Sequence, residues 1–351
     1  MQQPLRYLFS LLLIVVYSTA CNQGKKNEQP SDAPFLQAAD LVRFNQLVYK
    51  DSLASAFAKW APDYKVVYEP KEVDGNFAII IQKQNSLQYA LVIRGSVIEF
   101  SNAGFQNFFL QDFNIFQMKK WEYGDTVKNA YISKGAYIGF QNLLQLRDIA
   151  TGLSLKDFIE QKIPAHASLV ITGHSLGGNL AYPLAGYLKK NLAADKNKNL
   201  QLVTFGAPAV GNAAFVRDLD DKFPNGERYA AELDIAPAFP DLERVSELAK
   251  LTGLDSVLQL GKLSLGGDTE INTGGLLSIA NELLKKTNII NEENQYVQSS
   301  RQLRPLTCKI KDSTQTALSA DALFNRAYRF HKVDMYAELL GLKALEGASR
   351  E

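Results

Sequence analysis

The groups in this chain that could carry out chemistry are few, and they cluster at one turn. Gly173-His174-Ser175-Leu176-Gly177 fits G-x-S-x-G, with Gly178 directly behind it. An apolar run ends at Thr172 and a helical pattern begins at Leu176, so Ser175 falls on a strand-to-helix turn. Such a turn lifts a serine hydroxyl above the end of a sheet, and glycine is needed where flanking side chains would collide with neighbouring elements. The helix N-terminus behind it offers the N–H of Leu176 to a developing oxyanion. A serine nucleophile needs a base, and the chain has three histidines. His174 adjoins Ser175, where successive side chains diverge. His166 precedes the strand, and about six residues at ~3.3 Å each put it roughly 20 Å away, as a surface histidine. His331 remains as the base by elimination. The base in turn needs a carboxylate to orient it and to stabilise its cation. Asp234, after the strand-like run 228–233, is the candidate. Asp241 is its rival, although Pro240-Asp241-Leu242-Glu243-Arg244 opens a helical pattern in which Asp241 reads as the N-cap.

Holding such groups together requires a sheet. Residues 65–69, 77–83 and 89–94 read as strands separated by Asp74-Gly75-Asn76 and Asn85-Ser86 turns, and the short connections predict antiparallel pairing. Helical patterns then alternate with continuous apolar runs: 155–163 helix, 167–172 strand, 176–192 helix, 200–205 strand. Apolar strands separated by helices predict a sheet covered on both faces with parallel pairing. Leu41, Phe44, Leu47 and Val48 recur at helical spacing, predicting one amphipathic helix over 35–59. The expected fold class is α/β, a mostly parallel central sheet flanked by helices, with a helical insertion at about 241–325 before His331.

Taken together, these residues resemble the class 3, or fungal-type, lipases of the α/β-hydrolase fold, from about residue 89 to 240 and again around His331. Thr172-Gly173-His174-Ser175-Leu176-Gly177-Gly178 is similar to the family's nucleophile block. Thr204-Phe205-Gly206-Ala207-Pro208-Ala209-Val210-Gly211-Asn212 resembles its post-strand signature, a more specific match than the pentapeptide. Ile93-Arg94-Gly95-Ser96 is similar to the motif that supplies the second oxyanion donor, which the resemblance assigns to Ser96. Asp234 with Pro237, and His331 with Tyr336, fall where the family has its acid and base, in the chain order Ser, acid, His. Gly139-Phe140 matches a Gly-Phe pair that precedes a helix behind the site. In the family, the segment corresponding to 97–116 often serves as a lid. Here it carries Phe100, Phe105, Phe108, Phe109, Phe113 and Phe116 and reads as an apolar cover or acyl-chain wall, or else as core.

There are also departures. Ala136 and Tyr137 occupy the stretch where the family has a histidine, and Asn179 replaces a small alanine. Pro183 lies inside the nucleophile helix and predicts a kink or local adjustment. Asp234 and His331 are 97 positions apart, long for the family, so 241–325 reads as an insertion with helical stretches at 242–251 and 276–286. Residues 261–268 superficially resemble a phosphate-binding loop. However, Gly267 and Asp268 stand where Lys and Ser or Thr are required, and no strand leads in, so phosphate binding is rejected.

The chain begins with one cation, Arg6, then an apolar run over 8–17, then Ser18-Thr19-Ala20-Cys21. This is the layout of a signal peptide over 1–20. Ser-Thr-Ala-Cys resembles the lipobox of bacterial lipoproteins, with Ser18 where leucine is usual, and the resemblance makes Cys21 the acylated residue. Residues 21–34 then form a lipidated, polar tether ahead of one hydrolase domain over 35–351. The expected location is extracytoplasmic, as a cell-envelope lipoprotein on the outer-membrane or periplasmic side, with plain secretion as the alternative. Cys308 would be the remaining thiol and reads as a buried structural cysteine on a strand.

With 38 Lys and Arg against 37 Asp and Glu in 351 residues, the chain has no cationic excess for a nucleic acid. Two cysteines and three histidines give little material for a metal centre, and the expected chemistry needs neither metal nor cofactor. The function expected is carboxylic-ester hydrolysis, as a lipase or esterase, through a Ser175–His331–Asp234 triad on lipid or other apolar acyl esters. The competing reading is a non-catalytic surface lipoprotein that uses the hydrolase shell as a binding module.

Overall fold

Strands that are apolar along their whole length must be covered on both faces, and those at the centre of this molecule are. The computed structural model describes residues 34–95, 117–125, 127–252, 262–264, 270–272, 295–308, 325 and 328–345. All of them belong to the unit Ala33–Glu351. Among the described residues, seven strands form the central sheet, in the spatial order β1 (Tyr64–Tyr68), β2 (Ala78–Lys83), β3 (Gln88–Ile93), β4 (Ser168–His174), β5 (Leu200–Phe205), β6 (Glu227–Ala231) and β7 (Leu303–Leu306). The pairs β1–β2 and β2–β3 are antiparallel, as the short turns require. From β3 to β7 every pair is parallel. A smaller four-stranded sheet joins Met118–Lys120, Tyr131–Ser133, Gly211–Asn212 and Tyr296–Val297, and Lys262–Ser264 pairs with Glu270–Asn272.

The period-two alternation of the strands divides the core into two layers. On one face lie α1 (Ala38–Leu47), α2 (Leu53–Trp60) and α8 (Val333–Leu339). Their Leu41, Phe44, Phe57 and Tyr336 pack against Ile79, Ile81, Val170 and Val203. On the other face lie α3 (Lys134–Gln145), α4 (Leu155–Lys162), α5 (Leu176–Asn191) and α6 (Ala213–Lys222). There Phe140, Phe158, Leu184 and Phe215 meet Ile80, Leu91, Ile171 and Leu202. Each such fully buried side chain contributes roughly 1.5–3 kcal/mol. A further helix, α7, spans Leu242–Thr252.

Four expectations are corrected. The single helix over 35–59 is two helices, α1 and α2, separated at 48–52, with Ser52 in extended backbone at the second N-cap. Local turn chemistry explains the break: Asp51-Ser52 favours a turn and a cap over a continuing helix. Gly139-Phe140 lies inside α3 rather than ahead of a helix, and a Cβ at 139 would stand 2.7 Å from the Leu180 side chain of α5. The helix α5 holds Pro183 in its interior, where the sequence placed it. Cys308 is half-buried and follows β7 instead of sitting within a strand, and burial raises its thiol pKa. The stretch 241–325 contains β7, which pairs with β6, so part of it extends the central sheet. The helical expectation at 276–286 and the candidate lid at 97–116 lie outside the described residues.

Candidate active site

The site sits at the carboxyl ends of the parallel strands, where α/β sheets hold their ligands. Ser175 follows β4 directly and has φ 57° and ψ −126°, a left-handed conformation that costs a non-glycine residue of order 1–3 kcal/mol. Its surroundings leave no alternative path. A Cβ on Gly173 would lie 2.2 Å from the Gly177 carbonyl carbon, and one on Gly177 would lie 2.2 Å from the Ile93 oxygen at the end of β3. The turn thus stays tight because α5 begins in backbone contact with two strand ends. Leu176 is the first residue of α5, in the turn whose N–H groups have no partner within the helix.

The Ser175 Oγ lies 2.7 Å from His331 Nε2. His331 Nδ1 lies 3.0 Å from both carboxylate oxygens of Asp234. A carboxylate only accepts, so Nδ1 carries the proton, and Nε2 of the neutral ring accepts from the serine hydroxyl. Asp234 is held in the turn after β6, where its N–H donates to the Ala231 carbonyl. Its Oδ1 accepts the Ala236 N–H at 2.9 Å, and its Oδ2 accepts the Tyr336 hydroxyl at 2.6 Å. Ser175, Asp234 and His331 are all buried. Gly206, after β5, completes the wall. It has φ +57°, and a Cβ there would meet Asp234 Oδ2 and the Tyr336 hydroxyl at 3.0 Å.

The family resemblance placed Tyr336 with His331 but gave it no role, and its contact with Asp234 is one that no local pattern marks. Burial and the adjacent Asp234 push its phenol well above the ordinary value of 10, so it remains a donor. It also accepts the Ala231 N–H at 3.1 Å. Hydrogen bonds to charged groups are worth about 1.5–3 kcal/mol, so Tyr336→Phe should lower kcat about tenfold with KM little changed. Steady-state kinetics on a p-nitrophenyl ester would check this.

The remaining histidines and acids resolve as follows. His174 does not touch Ser175. Its Nε2–H donates to the His331 carbonyl at 2.6 Å, while its Nδ1 is buried without a hydrogen-bond partner. His166 lies in the turn ahead of β4, at the amino end of the strand. Asp241 caps α7, accepting the Arg244 N–H at 3.1 Å, and is exposed. Asn179 ties α5 to the segment after β5, donating to the Pro208 and Ala209 carbonyls at 3.4 and 3.3 Å. Ser96 and Cys21 lie outside the described residues, though Gly95, immediately before Ser96, is described. Among the described residues, no three His, Cys, Asp or Glu side chains gather where a metal could bind.

Burial, together with the nearby His331, holds His174 well below the ordinary imidazole value of 6.5, so it is neutral in the folded chain. As pH falls, the unfolded chain takes up that proton first. This contribution to stability is therefore complete above about pH 6.5 and declines below it, by up to about 1.4 kcal/mol per pH unit. His174→Gln should flatten the decline by one proton's worth between about pH 6.5 and 5. Urea midpoints measured across that range report it, and an unchanged slope would exclude His174 as the source.

The family Lipase (class 3) matches residues 91–243. Lipase ZK262.3 of Caenorhabditis elegans is 31% identical over 100 residues, which is 28% of this chain and 27% of that protein; the match thus spans about a quarter of the relative's length. The solved structure of M37 lipase superposes with a TM-score of 0.63 at 21% identity, covering 87% of this chain and 94% of its own, and shows the same fold. The family match takes in the nucleophile turn and the strands around it, so residues 91–243 are similar to the class 3 lipases, and the superposition shows the same α/β fold beneath them.

Proposed function

We propose that this chain hydrolyses carboxylic esters, on lipid or other apolar acyl substrates, through an acyl-enzyme on Ser175. The observation that carries this reading is the unbroken relay from Ser175 Oγ through His331 to Asp234, at 2.7 and 3.0 Å. His331 Nε2 takes the hydroxyl proton as Oγ attacks the ester carbonyl carbon. The imidazolium is stabilised by Asp234, and the oxyanion is received by the Leu176 N–H and, following the family resemblance, by Ser96. The tetrahedral species collapses with transfer of the proton from Nε2 to the leaving alcohol. Water then repeats the sequence on the acyl-serine and releases the acid. Each oxyanion donor is typically worth ~3 kcal/mol.

A fluorophosphonate probe tests the reading, since only an activated serine reacts quickly. Stoichiometric labelling at Ser175 is expected. No labelling of the folded protein would sink the reading and favour the binding-module alternative. Rates across p-nitrophenyl esters from acetate to palmitate would then separate an esterase from a lipase.

The same proposal places the enzyme on a membrane through acylated Cys21, in the cell envelope. Expressed in a bacterium with lipoprotein processing, the full chain should incorporate a fatty-acid label and partition into detergent, and Cys21→Ala should do neither. A chain that is equally soluble with and without Cys21 would leave secretion as the route.

A further inference from the structure

Helix α1 turns an apolar face to the sheet, yet two of its buried side chains are amides: Asn45 is 1% and Gln46 0% exposed. Burying an amide is costly unless it is hydrogen-bonded, and an apolar side chain of the same volume would pack equally well. The partners indicate what these polar groups do. Asn45 Nδ2 donates to Thr172 Oγ1 at 3.1 Å, on β4 three residues before Ser175. Gln46 Nε2 donates to Asp334 Oδ1 at 2.5 Å, on α8 three residues after His331. Tyr49, just past the end of the helix, accepts the Gly95 N–H on its hydroxyl at 3.0 Å, one residue before Ser96. Helix α1 and the residue just past it thus make polar contacts with the segments that carry Ser175, His331 and Gly95.

Two further contacts tighten the arrangement. Arg43 holds Gln46 in place by donating to its Oε1 at 2.8 Å, and a second Arg43 nitrogen donates to the Lys343 carbonyl beyond α8 at 2.8 Å. At the other end, Gly95 fits between Tyr49 and the nucleophile turn. A Cβ there would lie 2.4 Å from the Tyr49 oxygen and 2.9 Å from the His174 carbonyl oxygen. The amide path through Gly95 therefore depends on where Tyr49 holds it.

We propose that α1, with Tyr49 just past its end, is a positioning element of the active site. Tyr49 sets the backbone at Gly95, next in the chain to the residue that the family resemblance makes the second oxyanion donor, and Gln46 sets the turn that presents His331. Neither residue touches substrate; they act through Gly95 and Asp334. The inference rests on the ester-hydrolase reading.

The test uses the full chain carrying Tyr49→Phe, which removes one oxygen, and separately Gln46→Met, which keeps the volume and removes the amide. Loss of a whole oxyanion donor costs about 10²–10³ in kcat, so displacing one without losing it should cost about tenfold. In each variant, kcat for p-nitrophenyl butyrate should fall about tenfold with KM within about twofold. Fluorophosphonate labelling should slow in parallel, because phosphonylation builds the same oxyanion. Leu53→Ala on α2 serves as the destabilised control: it should lower the melting temperature yet keep the wild-type kcat at temperatures where it is folded. If Gln46→Met does not fold, Gln46→Asn, which keeps the amide but shortens its reach, carries the same expectation. Folded variants whose kcat stays within twofold of wild type would overturn the inference alone. Wild-type protein that fails to label at Ser175 would overturn the functional reading, and this inference with it.

Discussion

Ser175→Ala should lower kcat/KM for a p-nitrophenyl ester by about 10⁴–10⁶-fold, with the fold intact. Its Oγ is the hydroxyl within 2.7 Å of His331 Nε2, so removing it leaves the base with nothing to activate. Stability should scarcely change, because alanine inherits the same left-handed backbone at φ 57° and its strain. Ser175→Gly separates the two effects: it should be equally inactive yet more stable by about 1 kcal/mol, since glycine adopts this conformation without penalty. His331→Ala should cost about as much activity as Ser175→Ala, and the double variant little more, because the two residues act as one unit. Kinetics on the four variants, with melting curves alongside, provide the check. A Ser175→Ala protein retaining a tenth of wild-type turnover would remove this serine from the mechanism.

Asp234→Asn should lower kcat by about 10⁴-fold with a much smaller effect on KM. The carboxylate accepts from three sides: the His331 Nδ1–H, the Ala236 N–H and the Tyr336 hydroxyl. An asparagine amide has one acceptor oxygen for those donors, and its NH₂ must face one of them. Turned toward the ring, it requires an unprotonated Nδ1, which moves the proton to Nε2 and points an N–H at Ser175. The geometry would survive and the base would be lost. Asp241→Asn is the matched comparison. Asp241 is an exposed cap, and asparagine caps equally well, so activity should remain within about twofold. A large loss at 241 with none at 234 would reverse the assignment of the acid.

The parts of this protein that could be read from its residues are those written in local pattern. The antiparallel entry and parallel continuation of the sheet followed from turn lengths and from helix–strand alternation, and the structure bears them out. The nucleophile turn was legible because its glycines answer a constraint within a few residues of Ser175. His331 emerged by elimination among three histidines, which is arithmetic more than structure, and a chain with ten histidines would have hidden it. The break between α1 and α2 was also present, in the turn-forming pair Asp51-Ser52, but a reading that followed the apolar period alone passes over it.

Composition, turn chemistry and hydrophobic period were enough to establish the class of fold, the turn that exposes Ser175 and a short set of partners for it. Contacts between residues far apart along the chain settled the rest. Tyr336 on Asp234, His174 on the His331 carbonyl and Gln46 on Asp334 join positions 102, 157 and 288 residues apart. No short-range pattern marks such pairs, because each forms only after the sheet has aligned its strand ends and two helices have packed side by side on one face. A hydroxyl or an amide becomes part of a site through the neighbour that folding brings to it, and that neighbour is a property of the packed layers.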